Sequence, residues 1–87
     1  MTRDEIRQGV LNALLSVVPE AKPAEIDPAT SLRDQLDIDS MDFINFIATL
    51  DQTLGVDVPE SEYGRMATLE SSVDYLASRL GVPVSSG

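Results

Sequence analysis

The stretch that decides the fold runs from Ile38 to Leu54 and reads IDSMDFINFIATLDQTL. Apolar side chains recur within it at three- and four-residue spacing, which is typical of a helix with one buried face. That face comprises Phe43, Ile47, Leu50 and Leu54. We therefore predict a helix from Ser40 to Leu54, ended by Gly55, because glycine readily takes the left-handed conformation found at helix ends.

A serine occupies the first turn of this predicted helix. Asp39 is a favourable N-cap residue and Asp42 complements the positive end of the helix dipole, so Ser40 stands at the first helical position. The chain has no histidine or cysteine, and Lys22 is its one lysine, so Ser40 lacks the base that a serine nucleophile needs. We therefore expect a protein that is not itself an enzyme, and interpret Ser40 as a hydroxyl on which another enzyme acts.

The rest of the chain predicts further helices around this one. The predicted helices cover residues 3–17, 40–54, 60–64 and 68–80, and residues 81–87 form a tail. Thr2 and Glu5 have capping-box spacing at the first start, and Pro19 ends that helix. The connection over residues 19–39 holds room for one short helical turn. Together these elements predict a single all-α domain over residues 1–87, a four-helix bundle with three long helices, one short helix and a long first loop.

Composition narrows the class of partner. The 87 residues include fifteen acids and six bases, which gives a net charge of −9. Phosphate backbones and anionic membrane surfaces would be repelled, so we expect neither nucleic acid binding nor membrane insertion. A protein with a basic docking patch is the natural partner, because opposite fields speed encounter. The sequence has no apolar run of spanning length and no signal-peptide pattern, which favours a cytoplasmic location.

The aspartates around Ser40 do not form a calcium loop. An EF-hand that starts at Asp37 needs a glycine where Asp42 stands and an acid where Ala48 stands. A loop that starts at Asp39 places Leu50 in the last ligand position. We therefore predict no metal site.

The residues around Ser40 also carry a family resemblance. The run Asp39-Ser40-Met41-Asp42, with the helix that follows it through Asp51, resembles the Asp-Ser-Leu signature and second helix of acyl carrier proteins. The segments Leu54–Glu60 and Met66–Leu76 resemble the same family in the stretch after the second helix and in the entry to the last one. The resemblance covers roughly residues 3 to 80, and it implies the family's four-helix bundle.

This resemblance implies a definite chemistry. In such proteins a phosphopantetheinyl transferase moves a 4′-phosphopantetheine arm from coenzyme A to the motif serine, which is Ser40 here. The arm ends in a thiol, and acyl groups travel on it as thioesters to partner enzymes of fatty-acid, polyketide or related synthesis. A chain without cysteine would in this way acquire a thiol, whose ordinary pKa of about 8.5 suits it to acyl transfer at neutral pH.

The resemblance also assigns two sets of side chains. Partner enzymes with basic patches, among them the transferase and the acyl-loading and acyl-transfer enzymes, would dock on Asp39, Met41, Asp42, Ile44, Asn45, Ala48 and Asp51. An acyl chain would find room among Phe46, Ile47, Leu50, Leu54 and Val58. The second set consists of core residues by its helical spacing, and the two roles can coexist.

Several positions depart from the family pattern. Met41 replaces the usual leucine, Ile38 stands where a smaller residue is common, and Phe43 is bulky where serine or threonine is frequent. Asn45 stands where many fatty-acid carriers have glutamate. These departures favour a specialised carrier that serves a dedicated pathway. The lack of flanking catalytic domains favours a freestanding carrier, and we expect it to be a monomer.

Two alternatives remain open at the level of sequence. A peptidyl or aminoacyl carrier has the same scaffold and arm, but its motif usually has a glycine and then histidine or aspartate before the serine, whereas Ile38 and Asp39 stand here. An unmodified helical adaptor would have the scaffold and would never receive the arm. Loading of Ser40 by a transferase separates the adaptor from both carriers.

Overall fold

Helices supply all the regular structure in the computed structural model, which describes residues 1–82. The α-helices are α1 (Arg3–Val17), α2 (Leu32–Leu36), α3 (Ser40–Leu54) and α4 (Leu69–Leu80). Two 3₁₀ helices, Pro23–Glu25 and Glu60–Met66, lie between them. No strand occurs within residues 1–82, and the predicted all-α fold is confirmed. Residues 83–87 of the predicted tail lie outside the described residues.

The elements differ from the sequence prediction in three places. The short third helix continues to Met66 instead of ending at residue 64, because the side chain of Met66 is fully buried and holds the end of the segment against the core. The last helix begins at Leu69, since Thr68 is its N-cap and has extended backbone angles. The 3₁₀ turn Pro23–Glu25 was not predicted; it forms at a proline, whose fixed φ suits the start of a helical turn.

The core lies where α1 packs against α3 and α4. Its fully buried side chains include Ile6, Leu14, Phe46, Leu50 and Leu76, contributed by all three long helices. Helices α1 and α3 approach closely at Gly9, where an added Cβ would lie 3.1 Å from a methyl group of Leu54. The orientation of α3, and with it the position of Ser40, is therefore fixed by packing along most of its length.

Hydrogen bonds hold the long first connection in place. The Gln35 side-chain amide donates to the carbonyl oxygens of Asp27 and Thr30, at 2.8 and 3.0 Å, and its oxygen accepts from the Asp27 N–H at 2.9 Å. The carboxylate of Asp27 accepts from the Ala29 N–H, and this bond lowers the pKa of Asp27. The Leu32 N–H donates to the Ala67 carbonyl at 2.7 Å and ties the connection to the start of α4.

A left-handed residue ends α2 and directs the chain into α3. Asp37 has φ 54° and ψ 47°, and is the one non-glycine residue of 1–82 with positive φ. Its N–H and the N–H of Ile38 both donate to the carbonyl of Arg33. The first is the 5→1 bond of an αL helix end and the second is the 6→1 bond found in a Schellman motif. The Ile38 side chain is buried, so this turn is anchored in the core two residues before Ser40.

Replacement of Asp37 should show how much this turn depends on its conformation. A β-branched residue resists the left-handed region, so Asp37→Val should lower the free energy of unfolding by about 1–2 kcal/mol. Asparagine tolerates that region and removes the same charge, so Asp37→Asn should change it by less than about 0.5 kcal/mol. Urea unfolding measures both values; equal stability of the two variants would contradict the role given to the turn.

Candidate functional site

Ser40 is the first residue of α3, and it is exposed. It lies directly after the turn that connects α2 to α3. Within residues 1–82, its one side-chain hydrogen bond comes from Arg33, whose Nη2 lies 3.4 Å from the Ser40 Oγ. No carboxylate or other base contacts the hydroxyl there, so the protein positions this oxygen without activating it.

Asp39 determines where α3 begins. It is the N-cap, with an extended backbone, and its carboxylate accepts a hydrogen bond from the Asp42 N–H at 2.8 Å. This bond satisfies one of the backbone donors that a helix start leaves unpaired. The predicted roles of Asp39 as cap and of Asp42 three residues later agree with this geometry. Ser40 is thereby held between a capped helix and the buried side chain of Ile38.

Arg33 approaches the site from α2. Its guanidinium carbon lies 5.9 Å from the centre of the Phe43 ring, a cation–π distance, and its Nη2 reaches Ser40. Phe43 is itself buried and packs edge-on against Tyr63, with ring centres 5.4 Å apart and planes at 74°. A chain of contacts therefore runs from the Glu60–Met66 helix through two aromatic rings to the arginine beside Ser40.

An open groove of about 390 Å³ adjoins Ser40. Its apolar lining comes from Phe43, Ile44, Tyr63 and Gly64, and its polar lining includes Arg33 and Glu60. Phe43 and Tyr63, which both line the groove, pack edge to face against each other. The groove therefore offers an apolar surface next to the serine, and this ring pair is called its aromatic floor below.

The predicted docking residues lie along the outer surface of α3. Asp42 is half-buried and the other six are exposed. Met41 and Ile44 keep 69% and 50% of their surface accessible, and apart from Met1 no other large apolar side chain within residues 1–82 is so exposed. One stripe at helical spacing, formed by Met41, Ile44, Ala48 and Asp51, thus combines apolar groups with a carboxylate.

The predicted acyl-chain residues lie in the interior. Phe46 and Leu50 are fully buried, Ile47 and Val58 are buried, and Leu54 is half-buried against the core. None of the five lines the groove beside Ser40. The groove and this interior set are adjacent through Phe43, whose ring centre lies 6.1 Å from that of Phe46.

Comparison with known proteins agrees with this arrangement. Residues 8–76 match the family model described as "Phosphopantetheine attachment site". The chain is 30% identical over 76 residues to an acyl carrier protein of Rubrobacter xylanophilus, a match that covers 87% of this chain and 93% of the relative. The chain belongs to the acyl carrier protein family.

Other members give the same picture. Acyl carrier proteins of Acidothermus cellulolyticus and Chlorobium luteolum are 27% and 28% identical to this carrier. These matches cover 90% and 91% of its length, and 92% and 100% of theirs. The chain therefore spans nearly all of these three relatives. The family's cofactor is covalent 4′-phosphopantetheine.

The residues at the start of α3 fit such a group. A phosphodiester needs an accessible hydroxyl, and Ser40 is exposed. It also needs a place for a negative charge, and the Arg33 guanidinium stands beside that hydroxyl. The groove next to Ser40 would give the uncharged part of such an arm an apolar surface to lie against.

The described part of the carrier shows neither a metal-ion cluster nor a membrane-spanning helix. Residues 1–82 hold no group of three or more His, Cys, Asp or Glu side chains placed to bind a metal ion. No helix among them is long and apolar enough to cross a membrane.

Sequence reasoning missed Arg33 and Tyr63 as part of this site. Arg33 precedes Ser40 by seven residues and Tyr63 follows it by twenty-three, so neither belongs to the motif. One signal was available for Arg33: it is one of six bases in a strongly acidic chain and lies in the predicted short turn before the serine. No local pattern marks Tyr63, because its contact with Phe43 depends on packing between distant segments.

The cap at Asp39 can be tested separately from its charge. Asp39→Ala removes the acceptor for the Asp42 N–H and should lower the free energy of unfolding by about 0.5–2 kcal/mol. Asp39→Asn keeps an acceptor oxygen and should retain most of that stability while removing the negative charge. Chemical denaturation of both variants measures the difference, and an alanine variant as stable as the asparagine variant would contradict the cap.

Proposed function

We propose that Ser40 is the attachment point of 4′-phosphopantetheine and that this carrier transports acyl groups as thioesters on that arm. The observation that carries the proposal is the exposed Ser40 hydroxyl at a rigidly packed helix start, in a chain of the acyl carrier protein family. No other serine in the chain follows an aspartate. The arm would supply the thiol that the chain, which has no cysteine, does not contain.

The attachment chemistry follows from what Ser40 lacks. A phosphopantetheinyl transferase would provide the base, since none contacts the hydroxyl within residues 1–82. The Ser40 oxygen would attack the phosphorus that bears the pantetheine group of coenzyme A, and the serine proton would pass to that base. The pyrophosphate bond would break, and adenosine 3′,5′-bisphosphate would leave. The carrier's part is to present the oxygen in a fixed place.

Partner enzymes would dock on the outer surface of α3, on the seven residues predicted from the sequence. The exposed apolar groups of Met41 and Ile44 support this proposal, since they would be covered in a complex. Asp39, Asp42 and Asp51 would face basic side chains of the partner and would set the association rate more than the final affinity. Asn45, in place of a further acid, would weaken attraction to enzymes of general fatty-acid synthesis and favour those of a dedicated pathway.

The acyl chain would reach the interior set of Phe46, Ile47, Leu50, Leu54 and Val58 only by way of the groove. The aromatic floor supports a two-part site, because Phe43 lines the groove and its ring contacts both Tyr63 and the interior Phe46. Short chains would rest against the floor, and longer chains would have to separate the two rings. Each methylene that then became buried would contribute about 0.8 kcal/mol.

The attachment point is tested by intact mass. Incubated with coenzyme A and a promiscuous phosphopantetheinyl transferase, the protein should gain the mass of one arm. Ser40→Ala should gain nothing, whereas Ser61→Ala, which removes another exposed serine, should be loaded like the parent. Loading should also slow as salt is raised, because the docking surface is charged. A parent protein that stays unloaded would instead support the unmodified adaptor.

The aromatic floor is tested with saturated acyl chains of increasing length on the arm. In the parent, the rise in thermal stability should level off once the chain fills the groove. In Tyr63→Ala it should continue with longer chains, because the way to Phe46 is open. Met41→Ala, which removes an exposed apolar side chain elsewhere on α3, should behave like the parent. The same length dependence in the parent and in Tyr63→Ala would show that the rings do not limit entry.

A further inference from the structure

The arginine beside the attachment serine stands out in a chain of this charge. The chain has fifteen acidic residues and only six basic ones. Three of the acidic residues, Asp37, Asp39 and Asp42, lie within three residues of Ser40. Among residues 1–82, carboxylate ion pairs are made by Arg3 with Asp74 and by Arg65 with Glu62. Arg33 makes no such pair there, although carboxylates are plentiful around it. Its guanidinium is directed instead at the Ser40 hydroxyl.

Two contacts determine where this guanidinium lies. The Phe43 ring supports it at 5.9 Å, and Phe43 is buried and braced by Tyr63. The second contact is the hydrogen bond that Nη2 donates to the Ser40 Oγ at 3.4 Å, which is at the long end of the range for a hydrogen bond. A neutral hydroxyl is a modest partner for an arginine, whose fork of N–H donors matches a phosphate better.

We propose that Arg33 is a positioning residue for the arm, and that its guanidinium forms an ion pair with the phosphodiester once it is attached to Ser40. This inference rests on the proposed function of Ser40. The phosphorus bonds to the oxygen that Arg33 already contacts, so the charged phosphate oxygens lie only two bonds from that oxygen. The guanidinium then offsets repulsion from the neighbouring aspartates and holds the first bonds of the arm over the groove.

The geometry also explains why arginine suits this position. A flat guanidinium can stack on the Phe43 ring and still direct N–H groups along its edge toward the phosphate. Lysine would supply the charge without the fork or the flat stacking surface. The proposal therefore predicts a graded series, in which Arg33→Lys retains part of the effect and Arg33→Gln loses it.

The test compares protein with and without the arm. Parent, Arg33→Lys, Arg33→Gln and Arg7→Gln are each prepared in both forms, and loading is verified by intact mass. Arg7 is an exposed arginine on α1, so its replacement matches the change in net charge. The first measurement is the ³¹P chemical shift of the attached phosphodiester. The second is the ratio of unfolding equilibrium constants with and without the arm.

The expected result is specific to Arg33. Arg33→Gln should move the ³¹P resonance. It should also make the protein with the arm easier to unfold relative to the protein without it, so that the ratio of the two unfolding equilibrium constants rises by about 1.4- to 5-fold, the range that exposed ion pairs give. Arg33→Lys should fall between it and the parent, and high salt should reduce the differences. Arg7→Gln should leave the resonance where the parent has it.

Two results would overturn the proposal while leaving the function of Ser40 intact. One is loaded Arg33→Gln with the ³¹P shift and unfolding ratio of Arg7→Gln. The other is slower loading of Arg33→Gln with both measurements unchanged, which would make Arg33 a contact for the transferase. A parent protein that gains no arm contradicts this inference and the proposed function together, and the mass measurement identifies that case.

Discussion

The hydrogen bond from the Asp42 N–H to the Asp39 carboxylate fixes the residue at which α3 begins, and the rest of the site depends on that residue. If the helix began one residue earlier or later, the serine would turn by about a quarter of a helical turn, since each residue adds about 100°. The cap acts together with the left-handed turn at Asp37 and the buried side chain of Ile38. Ser40 is exposed because its neighbours on both sides are held.

Packing in the core holds the junction between α2 and α3, which runs from Asp37 to Asp42, in one position. Helix α3 is fully or largely buried along Phe43, Phe46, Ile47 and Leu50, so its outer surface cannot rotate inward without disrupting the core. The residues left outside, Met41 and Ile44 among them, therefore stay exposed. One helix thus combines a buried face with an exposed face, and its first residue lies where the loop, the groove and the outer surface meet.

Charge acts at two scales in this carrier. The net charge of −9 favours partners with basic surfaces over long distances, which affects how fast they meet. Within a few ångströms of Ser40 the balance differs, because Arg33 faces the hydroxyl and the carboxylate of Asp39 is engaged by a backbone N–H. A negatively charged phosphodiester on Ser40 would therefore meet less repulsion than the net charge of the protein suggests.

The sequence predicted the parts of this structure that depend on neighbouring residues. The spacing of Phe43, Ile47 and Leu50 indicated α3, and the acceptor at Asp39 indicated its start. The groove was not predictable in the same way, because Phe43 and Tyr63 meet only after the chain has folded. The left-handed conformation of Asp37 was missed as well, since aspartate adopts it less readily than glycine and only the contact of Ile38 with the core requires it there.

The junction between α2 and α3 must already exist before any arm is attached to Ser40. Amide hydrogen exchange of the unmodified protein, resolved by NMR, tests that claim most directly. The amide of Asp42 should exchange about fivefold or more slowly than in an unstructured chain, as a cap worth about 1 kcal/mol implies, and Asp39→Ala should abolish that protection. Exchange of the Asp42 amide at the unstructured rate in the parent protein would contradict the account.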